Sequence, residues 1–390
     1  MIQTFEQAIL IMTKTLFYKS RCLYFLFSVL LLMISLPLQA EVDEKMHERL
    51  KGRDFMISMG TGPTPINIFQ PLDTVPLEFG KSVNLDKFFD YKENLAAVAL
   101  KNGQLVYERY DKKGGFADKF PAHGMSMTKT AVGLVIGHLL CDGKIQSLDD
   151  TMGKYSPNLA KSIYNEIKIK DVLRMASGVN RDRKNERDYN QILRNKFEDG
   201  TNDSAAVIQS LKSAYTKPGK ISSYHTLDVT AATVLAKDIS GISVDQMFFD
   251  KVYAKMHPEG KMIWWADKNG DSLGMAGLNM VARDWARFGQ YMVDEMRDGS
   301  CIGKYVEDGI KNSIKTNSRD YQKYGYFFWV SNFSGKEYIV LTGKGGQVMV
   351  PNHYDDNVVV VLSASNFKYG RNHIITNIMA KAVKELRKSN

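Results

Sequence analysis

Ser126 and Lys129 stand three residues apart in Ser126-Met127-Thr128-Lys129, at the head of an apolar run. A hydroxyl and an amine at that spacing can carry out acyl transfer. On a helix, residues i and i+3 share a face, so the amine can reach the hydroxyl. A helix N-terminus offers free N–H groups and the positive end of the macrodipole, which stabilise developing negative charge. A serine placed there already has half of an oxyanion hole. To take the hydroxyl proton the lysine must be neutral, yet a free lysine titrates near ~10.4. Burial or a neighbouring cation has to lower that value. The flanks favour burial: Met125, Met127 and the run from Ala131 to Gly137 surround the pair. The same residues admit a plainer reading, in which Ser126 N-caps a helix and Lys129 lays its stem on apolar surface with its head in water.

Other chemistries find less support. Seven histidines are scattered with no His-Glu-x-x-His or similar spacing, so neither a catalytic metal nor another cofactor is expected. No Gly-rich phosphate loop stands between a strand and a helix, which argues against nucleotide binding. Gly124-Met125-Ser126-Met127-Thr128 lacks the final glycine of G-x-S-x-G, and no parallel strand–helix alternation surrounds it, which argues against an α/β-hydrolase. The formal net charge of +9 is spread along the chain without Lys/Arg runs interleaved with aromatics. That reads as a solvated basic surface, and no nucleic-acid partner is expected. Of the three cysteines, Cys22 lies in an apolar N-terminal segment. Cys141 and Cys301 are compatible with two free thiols or one long-range disulfide, and spacing does not decide; the expectation is free, buried thiols.

The elements that must hold the serine and lysine follow from pattern. Residues 22–36 form an apolar run after Lys14, Lys19 and Arg21 and before Pro37-Leu38-Gln39-Ala40. This is the order of a secretory signal peptide, expected over 1–40, and the run is short for a membrane span. The chain is therefore expected to be periplasmic or secreted, touching a membrane only through residues 22–36 if they stay attached. Residues 41–90, with Pro63, Pro65, Pro71 and Pro76, read as an irregular extension. Two apolar runs around Asn102-Gly103 predict a β-hairpin, because Asn-Gly tolerates the positive φ angles of a tight turn. A buried helix is expected over 127–142 with Gly143 at its C-cap, and a short one over 169–176. Charged residues 180–203 read as an exposed loop. Helical periodicity returns over 205–214, 228–240 and 280–297. Strands are expected over 324–330, 336–343, 347–352 and 357–365, followed by a helix near 373–388. The whole is an α+β arrangement over 91–390. An antiparallel sheet, in which the early hairpin joins the late strands, is flanked by helices. An inserted all-helical lobe spans about 127–265, and the cleft between the two is the natural place for a site.

Several ordered landmarks resemble the serine β-lactamase-like family, which includes class C β-lactamases, penicillin-binding esterases, D,D-peptidases and 6-aminohexanoate-dimer hydrolases. They run from about Leu95 to Lys384: Ser126-Met-Thr-Lys129, Asp142-Gly143-Lys144, Leu148-Asp149-Asp150, Tyr155-Ser-Pro157, Ile169-Lys-Asp171, Ser177-Gly178, Tyr224-His225-Thr226, Ala276-Gly277-Leu278 and Gly343-Lys344-Gly345-Gly346. The resemblance implies the β-lactamase/transpeptidase-like fold and a catalytic Ser126, Lys129 and Tyr224. In the family the tyrosine exchanges protons with nucleophile and leaving group beside the lysine. It also implies an oxyanion hole from the backbone N–H groups of Ser126 and Lys344, with Gly343, Gly345 and Thr226 lining the substrate.

Two motifs depart from the pattern. Thr226 replaces the asparagine of Y-x-N, which is closer to the aminohexanoate-hydrolase and esterase branch. Leu341-Thr342-Gly343 lacks the lysine of K-T-G that engages a β-lactam carboxylate, which weakens the case for β-lactam hydrolysis. Arg174-Met175-Ala176 stands where the family often has a histidine, and no role follows for it. The expected function is hydrolysis of a small ester or amide, with a peptidoglycan-like peptide also open. The alternatives are a β-lactamase or D,D-peptidase, or a catalytically idle cell-envelope binding protein on the same scaffold.

Overall fold

The computed structural model describes residues 66–90, 94–110, 121–179, 203–363 and 372–388, apart from 213, 215, 317, 319, 320 and 334. The expected signal segment over 1–40 and the charged loop over 180–202 lie outside the described residues. In chain order the strands are β1 (Ile66–Phe69), β2 (Asn94–Lys101), β3 (Gln104–Tyr110), β4 (Ala122–His123), β5 (Met262–Trp265), β6 (Asn279–Met280), β7 (Ile314–Lys315), β8 (Lys323–Tyr324), β9 (Trp329–Phe333), β10 (Lys336–Gly343), β11 (Gln347–Asn352) and β12 (Asn357–Ser363). The longer helices are α1 (Thr128–Cys141), α2 (Leu227–Ser240), α3 (Ala282–Arg297), α4 (Cys301–Lys311) and α5 (Asn372–Lys388).

The hairpin forms where Asn-Gly allows it, with Asn102 at φ 51° and Gly103 at φ 74°. Lys101 then pairs with Gln104. The hairpin joins the late strands through β12, whose Val359 lies opposite Ala99. The resulting antiparallel sheet has eight strands in the order β3-β2-β12-β11-β10-β9-β8-β7, which is the α+β layer arrangement expected. Consecutive residues of β2 and β12 are buried, from Ala96 to Leu100 and from Val358 to Leu362. Burial without alternation means that both faces of the sheet are covered. Helices α3 and α5 pack onto its central strands.

Helix α1 is buried from Thr128 through Leu139. A helix apolar on every side belongs in a core, and α1 fills the space between α2 and α4. Its last residue, Cys141, forms a disulfide with Cys301 at the first turn of α4, with Cα atoms 5.8 Å apart. This corrects the expectation of free thiols. The residues are 160 apart in sequence, so only packing of α4 against α1 brings them within bonding geometry.

Other elements differ from the sequence reading for local reasons. Ile66–Phe69, within the segment read as irregular, pairs with β5 in a second sheet of order β1-β5-β6-β4. Strand β5 in turn falls inside the span read as helical. The apolar stretch 324–330 is not one strand. Phe327 takes φ 61°, its N–H donates to Leu173 O at 2.9 Å, and its carbonyl accepts from Thr130 Oγ1 at 2.8 Å. The chain reverses there: β8 and β9 are antiparallel partners with Tyr324 opposite Trp329, residues 325–328 form the turn between them, and the two Phe327 bonds tie that turn to the lobe.

Closing a loop of this length restricts the unfolded chain strongly, by up to about 5 kcal/mol in the chain-entropy account. Replacing both Cys141 and Cys301 by Ser is therefore expected to lower the unfolding free energy by a few kcal/mol, with a lower urea midpoint and a slope no smaller than that of wild type. Equilibrium denaturation of the two proteins, both under oxidising conditions, checks this.

Candidate active site

The chain enters α1 through a tight turn that begins on β4. Gly124 N–H donates to Leu278 O at 3.0 Å, and Met127 N–H donates to Gly124 O at 3.1 Å. A side chain at Gly124 would overlap the Trp285 ring, so only glycine fits. Met125 is held at φ 51°, a left-handed conformation that costs a non-glycine residue on the order of 1 kcal/mol or more. Met125–Met127 then forms one turn of 3-10 helix leading into α1. From residue 121 to 139, Ser126 alone is not buried. A polar hydroxyl is thus the one side chain of this long core segment that reaches toward solvent.

Lys129 is 1% exposed. Its Nζ donates to Ser126 Oγ at 2.9 Å and to Met275 O at 2.5 Å. Burial lowers its pKa from the usual lysine value to about 7, because taking an ammonium out of water penalises the charged form. Neither half of the plainer sequence reading describes this geometry. No side-chain capping bond is made at the start of the 3-10 turn or of α1, and the lysine head is not in water. The Met275 carbonyl is fixed in turn: Gly277 and Leu278 N–H both donate to Thr128 Oγ1 at 3.2 Å. The Ala276-Gly277-Leu278 landmark therefore works as a brace on Thr128 and Lys129. Met275 itself escapes sequence reasoning, because a backbone carbonyl carries no residue-type signal.

Tyr224 comes from the opposite wall. Its ring centre is 5.3 Å from Lys129 Nζ, within reach of a cation–π attraction for the charged amine. The ring stacks on Trp329, centroids 5.1 Å apart, and meets the edge of Tyr324 at 5.8 Å. Trp329 stacks on its far side against Tyr321 at 4.7 Å. The density of aromatic residues over 321–329 was visible in the sequence, but not that they form one stack. Thr226, two residues on, sits at the head of α2 without a side-chain capping bond. His225 is buried, its Nε2 3.3 Å from Asp228 Oδ2. Asp228 is itself fully buried and accepts from Tyr164 OH at 2.8 Å.

Gly343 ends β10 directly against the serine's turn. A Cβ there would overlap the Gly124 carbonyl oxygen and lie 2.8 Å from Met125 Cβ. Lys344 and Gly345 follow in the tight link to β11, with Gly345 at φ 95° and Gly343 opposite Gln347. Leu341, where the family pattern has a lysine, is 1% exposed. The structure thus gathers Ser126, Lys129, Tyr224 and Gly343 around one spot, with Thr226 and the Lys344-Gly345 link on the elements bordering it.

The model of the β-lactamase family matches residues 90–382, well over half of the chain. A search of curated proteins finds no match. Among solved structures the chain is similar to a Bacillus anthracis protein described as a 6-aminohexanoate-dimer hydrolase, at 21% identity and TM-score 0.72, covering 83% of this chain and 92% of the other. It is also similar to the D-amino acid amidase from Ochrobactrum anthropi SV3, at 12% identity and TM-score 0.60, covering 78% and 98%. A penicillin-binding protein from Bacillus halodurans aligns at 14% identity and TM-score 0.57, covering 78% and 99%. At these identities the structural likenesses speak for the fold.

A buried lysine leaves a signature in stability. Its folded pKa, about 7, lies below the unfolded value near ~10.4. Between those values the unfolded chain binds more protons, so stability rises with pH across that window and the penalty is largest at pH 7 and below. Lys129→Met removes the penalty. The variant is expected to be more stable than wild type by a few kcal/mol at pH 7, the gap narrowing toward pH 10. Urea denaturation at pH 7, 8.5 and 10 measures it.

Proposed function

This chain belongs to the β-lactamase family, and on that premise we propose that it is a serine hydrolase cleaving an ester or amide bond through an acyl-enzyme on Ser126. The observation that carries the reading is the buried Lys129 amine, 2.9 Å from the one hydroxyl of its segment that is not buried. An amine titrating near 7 takes a proton at physiological pH, where an exposed lysine does not.

In the proposed reaction Lys129 Nζ removes the Ser126 proton as Oγ attacks the substrate carbonyl carbon. The resulting oxyanion is held by the backbone N–H groups of Ser126 and Lys344. As the tetrahedral species collapses, Lys129 returns the proton through the Tyr224 phenol to the departing alkoxide or amine. A water then loses its proton to the same pair, attacks the acyl carbon, and frees Ser126 with its own proton restored. Tyr224 suits this work because its ring is clamped between Trp329 and Lys129.

The substrate class follows from charge. Leu341 is buried at the position from which a K-T-G lysine would meet a β-lactam carboxylate, which favours acyl groups lacking that carboxylate. The substrate is a small ester or linear amide rather than a β-lactam. We place the reaction outside the cytoplasm, in periplasm or medium. The order of residues 14–40 supports this, as does the Cys141–Cys301 disulfide, a bond that persists in oxidising compartments.

Intact mass after fluorophosphonate treatment tests the nucleophile. One adduct on wild type and none on Ser126→Ala is expected. A folded wild type that takes no label would favour an idle binding protein on this scaffold. The second-order labelling rate should rise with pH through about 7 and level off above it, as Lys129 loses its proton. Lys129→Ala should reduce labelling by several orders of magnitude, and a mild loss would mean that another base operates.

A further inference from the structure

The serine's turn contains a strained residue, and something must hold it. Met125 has φ 51° without being glycine, and it lies immediately before Ser126. Its N–H donates to His123 Nδ1 at 2.7 Å. His123 belongs to β4, where it pairs with Asn279 of β6. Its ring packs against Trp265 with centroids 4.4 Å apart. The residue is 8% exposed, and Nε2 has no hydrogen-bond partner among the described residues. The neighbouring backbone is pinned as well, with Ala122 O accepting from Trp285 Nε1 at 3.0 Å.

We propose that His123 is a positioning residue for the nucleophile: through Nδ1 it holds Met125 in the left-handed conformation from which Ser126 is presented to Lys129. The Met125 N–H can only donate, so Nδ1 accepts and the ring proton resides on Nε2. Burial keeps the ring neutral, depressing the imidazole pKa to about 3, and the Met125 N–H selects the tautomer. Without the acceptor, Met125 loses the one bond that its left-handed backbone makes to His123. Relaxation toward negative φ would swing the start of the 3-10 turn and move Ser126 Oγ off the Lys129 amine. The kinetic consequence rests on the acyl-transfer reading of Ser126; the backbone role does not.

Two measurements test the proposal, one kinetic and one independent of catalysis. His123→Phe keeps a ring against Trp265 and removes the acceptor. It should slow fluorophosphonate labelling of Ser126 about 10-fold to 100-fold, the scale of a small misplacement of a reacting group. Met125→Gly supplies positive φ without strain, so the double variant should return to within about threefold of Met125→Gly alone, a large departure from additivity. Normal labelling in His123→Phe, or a double variant as slow as His123→Phe, would overturn the proposal. The second measurement needs no variant. In ¹⁵N-labelled wild-type protein, a scalar coupling across the hydrogen bond should join the Met125 amide nitrogen to His123 Nδ1, with the ring in the Nε2–H tautomer at pH 7. An Nδ1–H tautomer or a charged ring would overturn it. If wild type takes no label at all, the acyl-transfer reading fails and the spectrum alone decides the backbone role.

Discussion

An amine that is to act as a base near neutral pH has to be kept from water, and a fold that does this must supply what water would have given. In this chain Lys129 receives two partners, Ser126 Oγ and the Met275 carbonyl. Both are neutral, so the amine is hydrogen-bonded without a countercharge. A carboxylate in either place would have favoured the ammonium and raised its pKa. Much of the architecture is arranged around this one group. Helix α1 is buried from Thr128 to Leu139, and Lys129 is buried with it. The segment from Met275 to Leu278 runs past α1, its Met275 carbonyl accepting from Lys129 and its Gly277 and Leu278 N–H groups donating to Thr128 Oγ1. Helices α2 and α4 pack along α1, and the Cys141–Cys301 disulfide ties α4 to its far end.

Reaching the serine imposes a second demand, since a hydroxyl beside a buried amine must still be open to substrate. The turn from His123 to Met127 answers it by bending the backbone sharply. Space there is so limited that Gly124 lies under the Trp285 ring and Gly343 lies against the Gly124 carbonyl. The end of β10 therefore closes directly on the serine's turn, which places the start of the β10–β11 link beside Ser126. From the other side the stack of Tyr321, Trp329 and Tyr224 fixes one phenol ring near the amine. Rigid aromatic packing is a cheap way to orient such a ring, since few torsions remain to be frozen.

Much of this was legible before any coordinates. The Asn102-Gly103 hairpin, the three late strands 336–343, 347–352 and 357–363, and helices α1, α2, α3 and α5 follow from local period and turn chemistry, which depend on neighbours in sequence. Ser126 and Lys129 stand out by side-chain type and spacing, and Tyr224 only through the family resemblance; the structure places the three close together. Features fixed by distant partners were not legible. Cys141 meets Cys301 only because α4 packs on α1. The chain reverses over 325–328 because β8 and β9 pair with each other, and Leu173 and Thr130 hold Phe327 at that turn. Strand β1 forms because β5 offers it an edge. Met275 contributes a carbonyl that any residue has, and the His123–Met125 bond, though local, escapes notice because nothing in the residue types marks Met125 as left-handed.

The claim on which the rest depends is that Lys129 is neutral at the pH where the protein works, and it can be read directly. A titration of ¹³Cε-labelled lysine by NMR, with the Lys129 signal assigned by its loss in Lys129→Met, should show one lysine with a midpoint near 7 while the exposed lysines titrate near ~10.4. A Lys129 midpoint among those exposed lysines would contradict the account, because the buried amine would then be a permanent cation and no base.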